Sequence, residues 1–242
     1  MTNNANLFLH RLLQYFGMDI VRWYKVPENT LLGLTKYDIR TVLDIGANTG
    51  QSARFYRRAF PNALIYSFEP LPAAYKELDE WARRQNGKVR ALNIALGDHT
   101  GPMIIKEHVD FSPSSSFLKS THHSTVLFPQ TSCQQDTQVN MARLNDIAKD
   151  LEIEPDVLIK MDVQGFEHSV IKGGMAVLSQ AVACIIEVSL QPLYEGQPTF
   201  KDLSFLMDDL GFEYAGNILQ VYDEKGYVIY LDALFRKPVT FK

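Results

Sequence analysis

Cysteine is nearly missing from this chain. Cys133 and Cys184 are the only two in 242 residues, too few and too far apart for a disulfide framework or a zinc cluster. Cys184 stands inside an apolar run and reads as a small core residue. Long hydrophobic runs are missing too. None approaches the roughly 18–20 residues that a membrane span requires. A basic surplus is also absent: 24 Lys plus Arg stand against 28 Asp plus Glu. That balance argues against a nucleic-acid partner, because neutralising phosphates takes a basic surplus or stripe. There is no internal repeat and no low-complexity tract.

The N-terminus lacks the basic lead-in of a signal peptide, and His10 and Arg11 interrupt its apolar stretch. Leu9, Leu12, Leu13, Phe16 and Ile20 share one helical face. Residues 1–35 therefore read as a helical extension packed on the domain that follows; an interfacial helix or a lid is the alternative. The expected location is the cytoplasm.

What is present is alternation. Apolar runs at 41–45, 63–68, 88–94, 157–161 and 183–188 are separated by helix-like stretches at 50–60, 72–84, 143–150 and 166–178. MIIKE (103–107) is a probable strand. The polar section 111–138, rich in Ser, Thr, Pro, His and Gln, reads as a long loop of the kind that is usually functional or mobile. Thr199 and Asp202 have capping-box spacing before a helix at 200–209. The C-terminal stretch reads as a hairpin turning at Asp223–Gly226. Strand–helix alternation implies an α/β, doubly wound, mostly parallel sheet, here ended by an antiparallel hairpin. Such sheets bind ligands beyond the carboxyl ends of their strands. That rim would carry Asp44, Gly46, Glu69, Asp162 and Glu187 together.

VLDIGANTG (42–50) follows the first strand. It has no lysine and the wrong spacing for a phosphate-binding loop. It also lacks the GxGxxG and the basic residue that would suit a dinucleotide diphosphate. An amino acid joined to a nucleoside fits better. Asp44 would hold its ammonium group, directly or through water. Gly46 would let the chain turn against the ligand, and Asn48 with nearby amides would hold its carboxylate. Glu69, at the end of YSFEP, would accept both ribose hydroxyls. Asn93, Ala95 and Leu96 would lie near the base.

VLDIGANTGQSARF, YSFEPLPAAYKEL, NIALGD, SSSF, IKMDVQGFEHSVIKGG, EVSLQPLYEGQPTF and LDALF together resemble the FkbM family of S-adenosylmethionine-dependent methyltransferases. The likeness runs from about Thr41 to Phe235. It implies a Rossmann-like class I methyltransferase fold of seven strands over 36–242. It also implies methylation of a hydroxyl oxygen on a sugar, glycoconjugate or secondary metabolite. The cofactor set implied is Asp44, Gly46, Ala47, Asn48, Gly50, Glu69, Pro70, Asn93, Ala95, Leu96, Ser115 and Asp162. An NAD(P)-dependent oxidoreductase and a noncatalytic binding module are the competing readings.

An alcohol needs its proton removed before it can attack a methyl group. Asp162 and Glu187, at adjacent strand tips, either share a Mg²⁺ with the acceptor oxygen or one of them acts as base. His168, where the family usually has an apolar residue, is a further candidate base. His122 and His123 are weaker ones, since loop histidines are more often solvated. Lys160, inside a buried strand, calls for an acid partner, either Asp44 or Asp162. Tyr194 and Gln197 would sit on the acceptor side. A homo-oligomer is left open.

Overall fold

Thr41–Ile45 (β1) is buried at all five positions, because it lies in the middle of a parallel sheet covered on both faces. The computed structural model describes residues 21–109 and 111–238, together with Leu13, Tyr15, Phe16 and Met18. Among them the strands run in chain order as β1, β2 (Leu64–Phe68), β3 (Val89–Leu92), β4 (Ala95–Leu96), β5 (Gly101–His108), β6 (Gln134–Ala142), β7 (Val157–Met161), β8 (Ala183–Ser189), β9 (Glu213–Tyr222) and β10 (Val228–Arg236). The α-helices are α1 (Pro27–Thr30), α2 (Gln51–Ala59), α3 (Pro72–Ala82), α4 (His122–Leu127), α5 (Leu144–Ile147), α6 (Glu167–Leu178) and α7 (Phe200–Asp209).

Seven strands form the main sheet in the order β3-β2-β1-β7-β8-β10-β9. The first five pair in parallel, and β10 runs antiparallel to both β8 and β9. This is the doubly wound sheet with a terminal hairpin that the alternation implied. From β1 the chain moves outward to β2 and β3, then returns to lay β7 on the other side. The switch point thus falls between β1 and β7, where their carboxyl ends leave a crevice.

Alternate residues of each strand face opposite layers. Leu43, Ile45, Ile159, Met161 and Ile186 join one core with Val170 and Ile171 of α6 and Leu203 and Met207 of α7. Val42, Ile65, Leu158 and Ile185 join the other with Ala53 and Tyr56 of α2. Leu31 and Leu34 are buried in that second core, so the segment before residue 36 packs into the domain from Leu31 onward. The helical stripe expected over residues 9–20 falls largely outside the described residues. Of its neighbours, Tyr15, Trp23 and Tyr24 are exposed.

The capping box is made as expected. Thr199 Oγ1 accepts from the Asp202 amide at 3.2 Å, and the Asp202 carboxylate accepts from the Thr199 amide at 2.9 Å. The loop expected over 111–138 is the main departure. It contains α4, and its end belongs to β6, which pairs antiparallel with β5 along eight registered positions and parallel with β4. This second, three-stranded sheet sits beside the crevice, and β5 is tied to the 112–116 segment by reciprocal bonds between Lys106 and Ser116.

Candidate active site

Two turns build the crevice. After β1, Gly46 takes φ +80° and Asn48 φ +45°, so the chain reverses within three residues. A methyl group built on Gly46 would stand 1.8 Å from the Asp162 carbonyl oxygen; glycine is required there by space as well as by backbone angle. After β7, Gln164 and Gly165 are both left-handed, at φ +54° and +92°. Glu167 Oε1 braces that turn by accepting from the Gly165 amide at 3.1 Å and the Val163 amide at 3.3 Å.

The first cavity runs along the β1 turn. It is lined by Gly46, Asn48, Glu69, Pro70, Ala95, Leu96, Ser115 and Asp162, with Ile94, Ile105 and Phe117 among its apolar walls. Glu69 is nearly fully buried and is fixed by two backbone donors, the Asn48 amide and the Leu71 amide, each at 2.8 Å. Burial raises its carboxyl to about 7, against the pull of those two amides. A carboxylate has about four acceptor positions, so two remain for a ligand's hydroxyls. No Lys, Arg or His is among the lining residues. The walls thus suit an uncharged or cationic ligand better than a diphosphate.

The second cavity meets the first at Pro113, Asp162 and Gln164, which line both. Its remaining walls include Glu187, Tyr194, Tyr230, Phe111, Phe128 and Ser114. Gln164 organises the junction. Its side-chain nitrogen donates to Asp162 Oδ1 at 2.8 Å and to Glu187 Oε1 at 2.7 Å. Its side-chain oxygen lies 2.6 Å from the Tyr194 hydroxyl, which also lies 2.9 Å from the Ser114 carbonyl. The Gln164 carbonyl accepts from Ser116 Oγ at 2.6 Å. Burial first, and then the neighbouring Asp162 charge, push the Glu187 carboxyl well above the usual carboxylate range. Tyr194 is raised as well, by burial and by Glu187.

Beneath the junction lies Lys160, which is buried. Its ammonium donates to Asp232 Oδ1 at 2.8 Å and stands 3.7 Å from Asp162 Oδ2. Burial works against the charged amine, but Asp232, Asp162 and Glu187 outweigh it and hold its pKa above the ordinary lysine value. Of the two partners expected from sequence, Asp162 is one; the nearer partner, Asp232, went unseen.

Several expected residues sit elsewhere. Asp44 does not line either cavity. It is buried at the end of β1, accepts a hydrogen bond from Ser67 at 3.2 Å, and is raised to about 7 by burial, with Lys160 pulling the other way. Ala47 and Gly50 belong to the turn but not to the wall. Asn48 lines the cavity, yet its amide is given to Glu69 and its side chain to Ser112 at 3.0 Å. Asn93 donates to the carbonyls of Glu69 and Pro70 and so fixes the FEP turn from behind. His168 is exposed on α6 and lines neither cavity, because the helix turns that position outward. His122 and His123 are exposed on α4. Gln197 accepts from the Leu193 and Tyr194 amides and shapes the loop that presents Tyr194.

The shared Mg²⁺ is not supported. The Gln164 amide stands between Asp162 and Glu187, the place such an ion would take, and the charge beside Asp162 is supplied by Lys160. Among the described residues no group of three His, Cys, Asp or Glu side chains has metal-holding geometry.

Fold and site together define a class I methyltransferase: a doubly wound sheet, a glycine turn after β1 and an acid after β2. The methyltransferase FkbM domain matches residues 44–214, and the chain belongs to that family. The family decides against the dinucleotide oxidoreductase. The chain is 30% identical over 167 residues to the 2-O-methyltransferase NoeI of Sinorhizobium fredii, covering 64% of this chain and 66% of that one. It is 25% identical over 145 residues to the hexuronic acid methyltransferase AglP of Haloferax volcanii, covering 60% and 54%. A methyltransferase FkbM crystal structure from Methylobacillus flagellatus KT superposes with a TM-score of 0.53 at 15% identity, covering 88% of this chain and 49% of that chain, which shows the fold. The chain thus spans about half to two thirds of the length of these relatives. Among the described residues no helix is long and apolar enough to cross a membrane.

Proposed function

We propose that this chain is an S-adenosylmethionine-dependent O-methyltransferase acting on a hydroxyl of a sugar, a glycoconjugate or a secondary metabolite. The observation that carries the reading is the pair of cavities that meet at Asp162 and Gln164. One has the fixed acid and apolar slot that suit a nucleoside; the other has aromatic faces and carboxylates that suit a polyol. The names of the two curated relatives point to the same chemistry.

In this reading Glu69 accepts the two ribose hydroxyls, held in place by the amides of Asn48 and Leu71. Ala95, Leu96, Ile94 and Phe117 flank the flat base. Gly46 lets the ligand lie against the β1 turn, and Asp162 places negative charge near the donor's cationic end. When bound, S-adenosylmethionine supplies a methyl group on a positively charged sulfur, which an oxygen nucleophile displaces in line. The chain's own task is alignment and proton removal. Glu187 takes the acceptor's hydroxyl proton; burial and the neighbouring Asp162 charge make its carboxylate a stronger base than an ordinary one. Gln164 keeps Glu187 and Asp162 apart and oriented. The location proposed is the cytoplasm, in keeping with unpaired Cys133 and Cys184.

Calorimetry with S-adenosylmethionine, paired with mass-spectrometric detection of methyl gain by hydroxylated acceptors, tests the reading. Glu69→Ala is expected to weaken donor binding by about tenfold or more, the scale of one lost charge-assisted pair of hydrogen bonds. Undiminished affinity in that variant would remove the ribose assignment.

A further inference from the structure

The acceptor cavity offers acidic side chains and no basic one. Asp162 and Glu187 line it, and no Lys, Arg or His is among its walls. Three basic side chains on segments around it have partners of their own. Lys160 is buried and bound to Asp232 and Asp162. Lys119 donates to Glu195 at 3.0 Å, and both are exposed. His123 shares a hydrogen bond with Gln191. The rest of the wall is aromatic or neutral: Phe111, Phe128, Tyr194 and Tyr230 supply aromatic rings, and Ser114, Ser124 and Gln130 supply uncharged polar groups.

A carboxylate-bearing acceptor would meet this wall badly. Its charge would lose water, find no counter-ion, and stand beside two acids. Desolvating a charge without a partner is costly, and like charges brought together are a recognised device for rejecting a wrong ligand. A sugar hydroxyl with no charge meets no such penalty, and aromatic faces pack against its C–H surface. A protonated amine on the ring would be attracted.

We infer that the acceptor is an uncharged or amine-bearing glycoside, and that the cavity excludes uronic acids. This rests on the O-methyltransferase reading above and deepens it. It also separates this chain from the relative whose name specifies a hexuronic acid.

The test uses the full chain, S-adenosylmethionine and matched methyl glycosides of the gluco, galacto and manno series. Each series supplies the neutral pyranoside, the 2-amino sugar and the uronate. Methyl gain is followed by mass spectrometry, with donor binding measured separately by calorimetry. The expected result is a kcat/KM for the neutral or amino member at least about tenfold above that of its uronate. In Glu187→Gln turnover falls for all members, while the ratio of neutral to uronate narrows. A uronate methylated as well as its neutral partner overturns the inference and leaves the O-methyltransferase reading standing. A ratio unchanged in Glu187→Gln overturns the charge basis. Donor binding with no methyl gain by any glycoside overturns the sugar reading, and this inference falls with it.

Discussion

Gln164 and Glu187 are joined side chain to side chain at 2.7 Å, and the same Gln164 nitrogen reaches Asp162 at 2.8 Å. A neutral amide therefore separates two acids that face one cavity. Replacing it by a carboxylate brings three acids together. Gln164→Glu is expected to keep donor binding within a few fold, to lower kcat by about tenfold or more, and to move the acidic limb of the pH–rate profile to higher pH, as expected when a base loses a hydrogen-bond donor and gains an acidic neighbour. Steady-state kinetics across pH, beside calorimetry, read all three. An unchanged pH profile would make Gln164 a merely structural residue.

Metal removal is expected to change nothing. Activity after dialysis against EDTA, and after Mg²⁺ is added back, should agree within a factor of about two, because the space between Asp162 and Glu187 is taken by the Gln164 amide. Loss on chelation and recovery with Mg²⁺ would restore the shared-metal arrangement.

Lys160 is a buried cation held by Asp232 and Asp162. Lys160→Met leaves those acids without it, and breaking a buried pair in this way costs about 3–5 kcal/mol. Thermal or urea unfolding should show a loss of that order. Lys160→Met with Asp232→Leu should recover part of it, because the acid stranded nearest the gap is gone.

Gly46→Ala places a methyl against the Asp162 carbonyl and forces a left-handed backbone on a residue with a side chain. Gly173→Ala makes an equally short contact with the Gly97 carbonyl, where α6 crosses the small sheet. Both should destabilise by about 1–3 kcal/mol or more, the scale of overpacking. Only Gly46→Ala should also weaken donor binding in protein that remains folded, measured by calorimetry below the unfolding midpoint.

Glu167 carries a pH signature. Burial raises its carboxyl from the usual value near 4.5 to about 7. The folded state therefore holds a proton that the unfolded chain has released. Its contribution to stability is fully present below the unfolded pKa and is lost as pH rises through about 7. Asp44 and Glu69 act in the same direction. His108, lowered by burial, opposes them on the acid side of its unfolded value. Unfolding midpoints should thus fall between about pH 5 and about pH 8, and Glu167→Gln, which keeps a hydrogen-bond acceptor but cannot titrate, should flatten that slope.

The sheet was legible in the sequence because each buried strand is a short apolar run and each is separated from the next by a helical period. The acids at 69, 162 and 187 were legible because a parallel sheet sends its strand ends to one rim. β6 was not. QQDTQVNMA is polar and mostly exposed at its start, and only its pairing with β5 makes it a strand. Gln164 gave no signal of its own: it is uncharged, and its role comes from a left-handed turn that three side chains converge on. Asp232 is separated from Lys160 by 72 positions, and strand order alone brings them together. His168, legible as a residue on the helix after β7, lies on the exposed side of α6, away from both cavities.

That strand order has a consequence for how the enzyme comes into being. Lys160 on β7 reaches Asp232 on β10 across the intervening β8. A nascent chain that has emerged only as far as β8 already holds the glycine turn, Asp162 and Glu187, but lacks Asp232, the nearer of the two acids that hold the buried lysine. The lysine is therefore expected to settle fully into the interior only when the final hairpin is released and zips onto the sheet edge.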